Sequence, residues 1–256
     1  MLGMKRLLSY ARRACDDYNM IEDGDVIAVG VSAGKDSLSL LYTLSALARF
    51  YPKKFKIIAI TVDMKFDDLG GGIVPADYTP IKKLCDDFGV EYIVEESNIA
   101  KIVFDIRKEK SPCSLCAKLR RGALNDAAKK YGANKVALGH HFDDAVETFM
   151  LNLFYEGRIG CFSPVTYLDR TDITVIRPLV YAPEKDIEYF ARHVELPIIP
   201  SGCPANKNTE REEMKILLQN LERDNKGLRH RIFGAMQRGS VSGFKEVKIK
   251  HYDDEE

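Results

Sequence analysis

Apolar positions in this chain recur at two spacings, one helical and one continuous, and the two alternate from end to end. The first twenty residues place Leu2, Leu7, Leu8, Ala11 and Cys15 on one helical face, and Asp23-Gly24-Asp25 closes that stretch. A β-branched strand then begins at Val26. It breaks at Ser32-Ala33-Gly34-Lys35-Asp36-Ser37, and Leu38, Leu41, Leu44 and Ala48 resume at helical spacing as far as Tyr51-Pro52. A second strand, "KIIAITVD", leads through the glycine-rich "LGGGIVPADYTP" to a helix over about 78–88, and "VEYIVEES" is a third strand. A helix over about 114–131 precedes the strand "KVALGHH", and another, Asp143 to Tyr155, follows it. The pattern predicts a fifth strand at "DITVIRPLV" and closing helices near 184–194, 209–222 and 224–237. Strands that alternate with helices favour a parallel sheet covered on both faces, an α/β fold. No internal repeat or low-complexity linker interrupts the pattern, and the acidic tail "YDDEE" is expected to be solvated and frayed.

Composition narrows the partners. At 256 residues, with 45% hydrophobic and 30% charged positions, the chain suits one large globular domain with short terminal additions. We expect segments at 1–24 (a helix), 25–200 (the main domain) and 201–256 (a helical region with a late cysteine). The formal net charge of +0 means that any nucleic acid must be held by a local basic patch. Such patches are offered by Lys118, Arg120 and Arg121, and by Arg229, His230, Arg231 and Arg238, although solvated helix faces also carry such runs. Lys5, Arg6, Arg12 and Arg13 interrupt the first stretch before it reaches signal-peptide length, and no run is long enough to span a bilayer. The expected location is the cytoplasm, without membrane association, where the six cysteines would be reduced thiols or metal ligands.

The break after the first strand is the main chemical signal. In an open parallel sheet, ligands collect beyond the carboxyl ends of the strands, where helix N-termini present unpaired N–H groups. Gly34 permits close backbone approach, Lys35 adds a positive charge, and Ser32 and Ser37 supply hydroxyls, so phosphate oxygens are matched there. The Walker A spacing fails, because Val29 stands at its first glycine and Asp36 follows the Gly-Lys pair. G-x-G-x-x-G fails as well, since Ser32 holds its second glycine position.

Three further groups carry candidate chemistry. Cys113 and Cys116 form C-x-x-C at the mouth of a helix, which fits zinc, iron–sulfur or redox use. Cys203 lies far downstream, Cys15 and Cys85 fall on apolar helix faces, and Cys161 stands beside Phe162. His140, His141, Asp143 and Asp144 suit either a divalent cation or a histidine packed at a strand end with an aspartate helix cap. Asp63 closes the second strand on the same sheet edge, as a nucleotide or magnesium contact or as a turn former.

The loop resembles the PP-loop, usually SGGKDS, of enzymes that split ATP into AMP and pyrophosphate, with Ala33 in place of the first family glycine. Together with C-x-x-C followed by Leu-Arg-Arg-Gly, "LGHHFDDAVETFMLN", "IRPL" and one late cysteine, it makes the chain similar to the tRNA 2-thiocytidine synthetase family of the TtcA type, from about Asp25 to Met214. The resemblance implies a Rossmann-like, adenine nucleotide alpha hydrolase-like sheet with the PP-loop after its first strand. It implies ATP bound by Ser32, Ala33, Gly34, Lys35, Asp36 and Ser37 together with Gly139 and His140, and a 4Fe-4S cluster on Cys113, Cys116 and Cys203. Lys35, Asp63, Asp143 and Asp144 are then the candidate catalytic residues, the aspartates for Mg2+ or proton handling.

The implied function is ATP-dependent tRNA sulfur transfer. A pyrimidine C2 carbonyl is adenylated and its oxygen is replaced by sulfur, with tRNA as partner, sulfur from a cysteine desulfurase or free sulfide, and a homodimer as the working form. Two other readings predict different behaviour. A small-molecule, amide-forming ATP pyrophosphatase would turn over without RNA, and a nonenzymatic zinc or iron–sulfur RNA-binding module would have no use for the loop.

Overall fold

The structure, a computed structural model, describes residues 2–70, 72–107, 112–200, 202–204 and 210–246. The acidic tail falls outside these residues. Contacts divide the chain into two compact units, Met1–Phe142 with Val165–Thr209, and Asp143–Pro164 with Glu210–Glu256. Both units are discontinuous in sequence.

The first unit contains α1 (Leu2–Asp17), β1 (Val26–Gly30), α2 (Lys35–Leu47), β2 (Lys56–Asp63), α3 (Thr79–Phe88), β3 (Glu91–Glu96), α4 (Pro112–Lys130) and β4 (Lys135–Ala137). After α5 (Phe142–Tyr155), which the second unit claims from Asp143 onward, come β5 (Val165–Leu168), β6 (Ile173–Ile176) and α6 (Glu184–His193). The strands form one sheet in the order β3-β2-β1-β4-β6-β5. Every pairing is parallel except β5 with β6. The strand expected over "DITVIRPLV" is confined to Ile173–Ile176, and the antiparallel edge strand Val165–Leu168 had not been expected. A short π-helical stretch, Lys101–Arg107, also lies in the loop before α4.

Strand alternation explains the two covered faces. Ala28, Ile58, Ile60, Ile93 and Val136 form a core with Leu124, Ala127 and Ala128 of α4. On the helical layer built from α1, α2 and α6, Leu7, Leu38, Leu41, Leu44 and Ile187 are fully buried. Each such leucine contributes about 1.5–3 kcal/mol by burial, so Leu41→Ala would cost about 2–5 kcal/mol. Two ends of the sheet are treated differently. Before the strands, Asp25 is clamped by Lys135 Nζ at 2.7 Å and by Asn134 Nδ2 at 2.7 Å. Beyond their carboxyl ends lie the Ser32–Ser37 loop after β1 and Gly139 and His140 after β4, and β1 is where the strand order reverses, with β2 on one side and β4 on the other.

The second unit comprises most of α5 with α7 (Glu210–Asp224) and α8 (Leu228–Arg238). Met214, Leu218, Phe233, Met236 and Phe244 are buried, and the Phe233 and Phe244 rings meet edge to face at 5.3 Å.

Candidate active site

The loop between β1 and α2 is built from its own hydrogen bonds. Val31 N–H donates to Ile60 O at 2.8 Å, which continues the sheet pairing one residue past β1. Ala33 then takes φ 61, the left-handed region. Its carbonyl accepts from Ile199 N at 3.1 Å. The Ser37 hydroxyl donates to Gly34 O at 3.0 Å and accepts from Ser32 N at 3.1 Å, while the two serine hydroxyls are 3.2 Å apart. Gly34 stands at the head of α2 without a side-chain cap, which leaves the helix's first N–H groups for an acceptor from outside.

Lys35 is the charged centre of the loop. Its ammonium lies 3.0 Å from Asp36 Oδ1, 3.2 Å from Asp36 Oδ2 and 3.0 Å from Glu184 Oε1. Burial alone would lower its pKa, but the two carboxylates outweigh that and hold it above the ordinary lysine value, so the side chain is a cation throughout the physiological range. On the other side of Asp36, the buried His141 places Nε2 3.8 Å from Oδ1. His140 accepts at Nδ1 from Arg177 Nε at 3.3 Å. Gly139 brings this segment close, since a Cβ there would lie 3.0 Å from the Asp36 carbonyl carbon. The loop residues, Gly139, His140 and His141 are therefore gathered at the strand-order reversal. Sequence reasoning missed Glu184, 149 residues from Lys35. It also gave Arg177 no role although "IRPL" had been singled out.

Asp63 closes β2 with its carboxylate already engaged. It accepts from Lys65 N at 3.0 Å and lies 3.5 Å from Lys65 Nζ. Burial and the Asp63 charge together push the Tyr78 phenol up to about 12. Asp143 and Asp144 belong to the second unit and sit in the first turn of α5. Asp143 pairs with Arg229, both nearly buried, and Asp144 Oδ1 lies 3.1 Å from Arg211 Nη1. Arg229 is thus committed inside its own unit, which removes it from the basic patch in which the sequence placed it. Arg231 remains exposed and spends its guanidinium on Asn225 and the Lys226 carbonyl. Lys118, Arg120 and Arg121 are exposed along α4.

The six cysteines fall into three groups. Cys15 and Cys85 are buried in the core, where burial pushes each thiol up to about 12. In the second unit, Cys161 Sγ donates to Ala145 O at 3.4 Å. Cys113 and Cys116 occupy the first turn of α4, one helical turn apart, and Cys116 Sγ touches Met64 Sδ at 3.6 Å. The Cys203 segment packs on the loop after β2, where a Cβ at Gly202 would meet Ile73 at 3.3 Å and Phe66 at 3.5 Å. Burial raises the Cys116 thiol, Arg120 lowers it, and the charges of Cys203 and Cys113 raise it further, so Cys116 lies within electrostatic reach of both. Among the described residues, no three His, Cys, Asp or Glu side chains are drawn to ligating distance. The donor set nevertheless fits an iron–sulfur cluster: three cysteines outside any disulfide, soft ligands, two of them at a helix N-terminus and one of these, Cys116, near the Arg120 charge.

The PP-loop domain family matches residues 8–216. The chain is 44% identical over 234 residues to tRNA-cytidine(32) 2-sulfurtransferase of Ralstonia pickettii, covering 91% of this chain and 72% of that protein. It is 40% identical over 252 residues to the protein of the same description from Teredinibacter turnerae, covering 98% and 81%. Among solved structures, the U34-tRNA thiolase NcsA from Methanococcus maripaludis with its [4Fe-4S] cluster is similar at a TM-score of 0.71 and 25% identity, covering 92% of this chain and 79% of that one.

Proposed function

The chain belongs to the PP-loop family and, within it, to the tRNA 2-thiocytidine synthetases, and from that premise we propose that it is an ATP-dependent tRNA sulfurtransferase that converts a cytidine to 2-thiocytidine. The observation that carries this reading is Lys35, a cation fixed at the uncapped head of α2 where the strand order reverses. ATP lies with its phosphates along Ser32 to Ser37, with Gly139 and His140 beside them. The pyrimidine C2 oxygen attacks the α-phosphate and pyrophosphate leaves. Sulfide then takes the place of the activated oxygen at C2, and AMP departs. Lys35 and the first N–H groups of α2 stabilise the negative charge that grows on the departing pyrophosphate. Asp63, Asp143 and Asp144 are assigned to Mg2+ or proton handling. Cys113, Cys116 and Cys203 would hold the 4Fe-4S cluster, which would supply an iron without a protein thiolate that can carry the sulfur.

Sulfur from a cysteine desulfurase, brought to the sulfide level by a two-electron thiol reductant, or free sulfide supplies the reaction. The homodimer assignment is supported by the outward face of α7, where Ile216, Leu217 and Leu221 are exposed. The substrate tRNA fits a cytoplasmic setting, and among the described residues no helix is long and apolar enough to cross a membrane. The test is turnover of anaerobically purified protein with ATP, tRNA and sulfide. The expected products are AMP, pyrophosphate and 2-thiocytidine in the digested tRNA. Formation of ADP, or pyrophosphate release that is indifferent to tRNA, overturns the reading.

A further inference from the structure

Lys35 has two carboxylate partners with different origins. Asp36 is its chain neighbour, so its proximity follows from connectivity. Glu184 comes from the first turn of α6, and its Oε1 reaches the ammonium at 3.0 Å with only 15% of its side chain exposed. A bridge between positions so distant in sequence needs an account.

It is not what holds α6 in place. Ile187 and Phe190 are buried on the same helix, the Phe190 ring meets Tyr42 of α2 edge to face at 5.2 Å, and Asp186 accepts from Arg6 and Tyr10 of α1, each at 3.2 Å. These contacts fix α6 against α1 and α2 without Glu184. The bridge acts instead on Lys35.

Lysine carries a compact charge on four rotatable bonds, and a charge fixed in direction stabilises a transition state more than one that must first be oriented. A second carboxylate also offsets the Lys35 charge and so weakens the attraction that a polyphosphate meets on approach. We propose that Glu184 is a positioning residue for the reaction: it fixes the Lys35 ammonium for pyrophosphate departure and, in doing so, weakens ground-state binding of the polyphosphate. Binding energy is thereby withheld from the ground state and expressed as the leaving group gains charge, the distribution that raises kcat.

This inference rests on the ATP-binding reading of the loop, and the experiment separates the two. Holoenzyme purified without oxygen is titrated with a nonhydrolysable ATP analogue and with pyrophosphate, and AMP formation is followed with tRNA and sulfide. In Glu184→Gln, which removes the charge at nearly constant size, kcat should fall about tenfold while the analogue and pyrophosphate bind about threefold to tenfold more tightly. Glu184→Asp keeps the charge and should return both affinities toward wild type. A purely structural role would lower the melting temperature without splitting KM from kcat. Unchanged constants, or weaker analogue binding in Glu184→Gln, overturn the inference. Wild-type holoenzyme that binds neither probe would overturn the ATP reading instead.

Discussion

The loop after β1 and the cysteines at the mouth of α4 lie in the same unit and are built on different terms. In the loop, sheet pairing runs one residue past β1, the serine hydroxyls tie the turn to itself, and the lysine charge is balanced by two carboxylates. At the cysteines, two thiols share a helix turn, the third arrives on a separate segment, and burial with the charges of the other two raises the Cys116 thiol. The nucleotide end is organised by the fold itself, whereas at the cysteine end no three donors are drawn together among the described residues, so in the proposed holoenzyme a metal would gather them. Metal binding that must gather and deprotonate its ligands contributes directly to local stability.

The sharpest break of this comparison is a crossed pair of variants. Cys116→Ser should lose the bound iron and the brown colour, abolish sulfur transfer, and leave ATP binding and pyrophosphate release within about threefold of wild type. Lys35→Ala should do the reverse, retaining iron while slowing AMP formation by about 10²–10³, the usual effect of removing one preorganised charge-stabilising group. Iron content and pyrophosphate release on the same preparations decide it. If Cys116→Ser also lost nucleotide binding, the two regions would be one cooperative site.

What was legible in the sequence divides along the same line. The loop could be read because its signals are local: an apolar strand, a glycine-lysine pair and a helical pattern adjoin within twenty residues. Lys35's second partner could not, because Glu184 in "APEKD" looks like any acidic residue at a helix start. Arg229 was misread for the same reason. Its neighbours suggested an open basic face, while its partner Asp143 lies 86 residues away and both side chains are nearly buried. The edge strand Val165–Leu168 escaped because four partly exposed residues make no periodic signal, and only pairing with β6 defines them. Cys203 entered the cysteine set through family resemblance alone, and the sequence held nothing that placed it near Cys116.

A second contrast concerns charge on the surface of α4. Lys118 and Arg121 are exposed on the helix that begins with the cysteines, whereas Arg120 also lowers the Cys116 thiol and is best left alone. Replacing Lys118 and Arg121 by Ala should weaken tRNA binding about tenfold or more at moderate salt and reduce the slope of log affinity against log salt by about 2. ATP affinity should not change. Titrations at several salt concentrations provide the check, and an unchanged slope would place the RNA contacts elsewhere.

The loop's balanced charges also contrast with Glu147 on α5. This residue is 3% exposed, its Oε1 finds no hydrogen-bond partner among the described residues, and Arg229 and Arg211 stand off at 3.7 Å and 3.9 Å. Burial, reinforced by Asp144, pushes its carboxyl up to about 7 from an ordinary 4.5. The folded protein therefore holds a proton that the unfolded chain has released between about pH 4.5 and 7. Stability from this group is complete below that window and is lost as pH rises through it. Glu147→Gln should match wild type near pH 4.5 and be more stable at pH 8 by the order of 1–2 kcal/mol. Urea unfolding at both pH values tests this, and a variant that is less stable at pH 8 would show that Glu147 is a needed charge partner for Arg211 and Arg229.

The smallest expected effect concerns the residue that departs from the family loop. Ala33 takes φ 61, which costs an alanine about 1–2 kcal/mol relative to the right-handed region and a glycine almost nothing. Two terms oppose the relief that Ala33→Gly would bring. Ala33 is 5% exposed, so deleting its methyl group loses about 0.8 kcal/mol of burial. Glycine also enlarges the unfolded ensemble, by about 0.4–1 kcal/mol. The sum lies within about 1 kcal/mol of zero, a shift of only a few degrees in melting temperature for a chain of this size. Nucleotide affinity should change less than about twofold, because the path of the loop is fixed by the Ser32, Ser37 and Ile199 hydrogen bonds, none of which uses the Ala33 side chain. Melting and ATP-analogue titration of Ala33→Gly measure both quantities. A large gain in affinity would mean that the methyl group obstructs the phosphates, and that this loop is held less by its own hydrogen bonds than its contrast with the cysteine end requires.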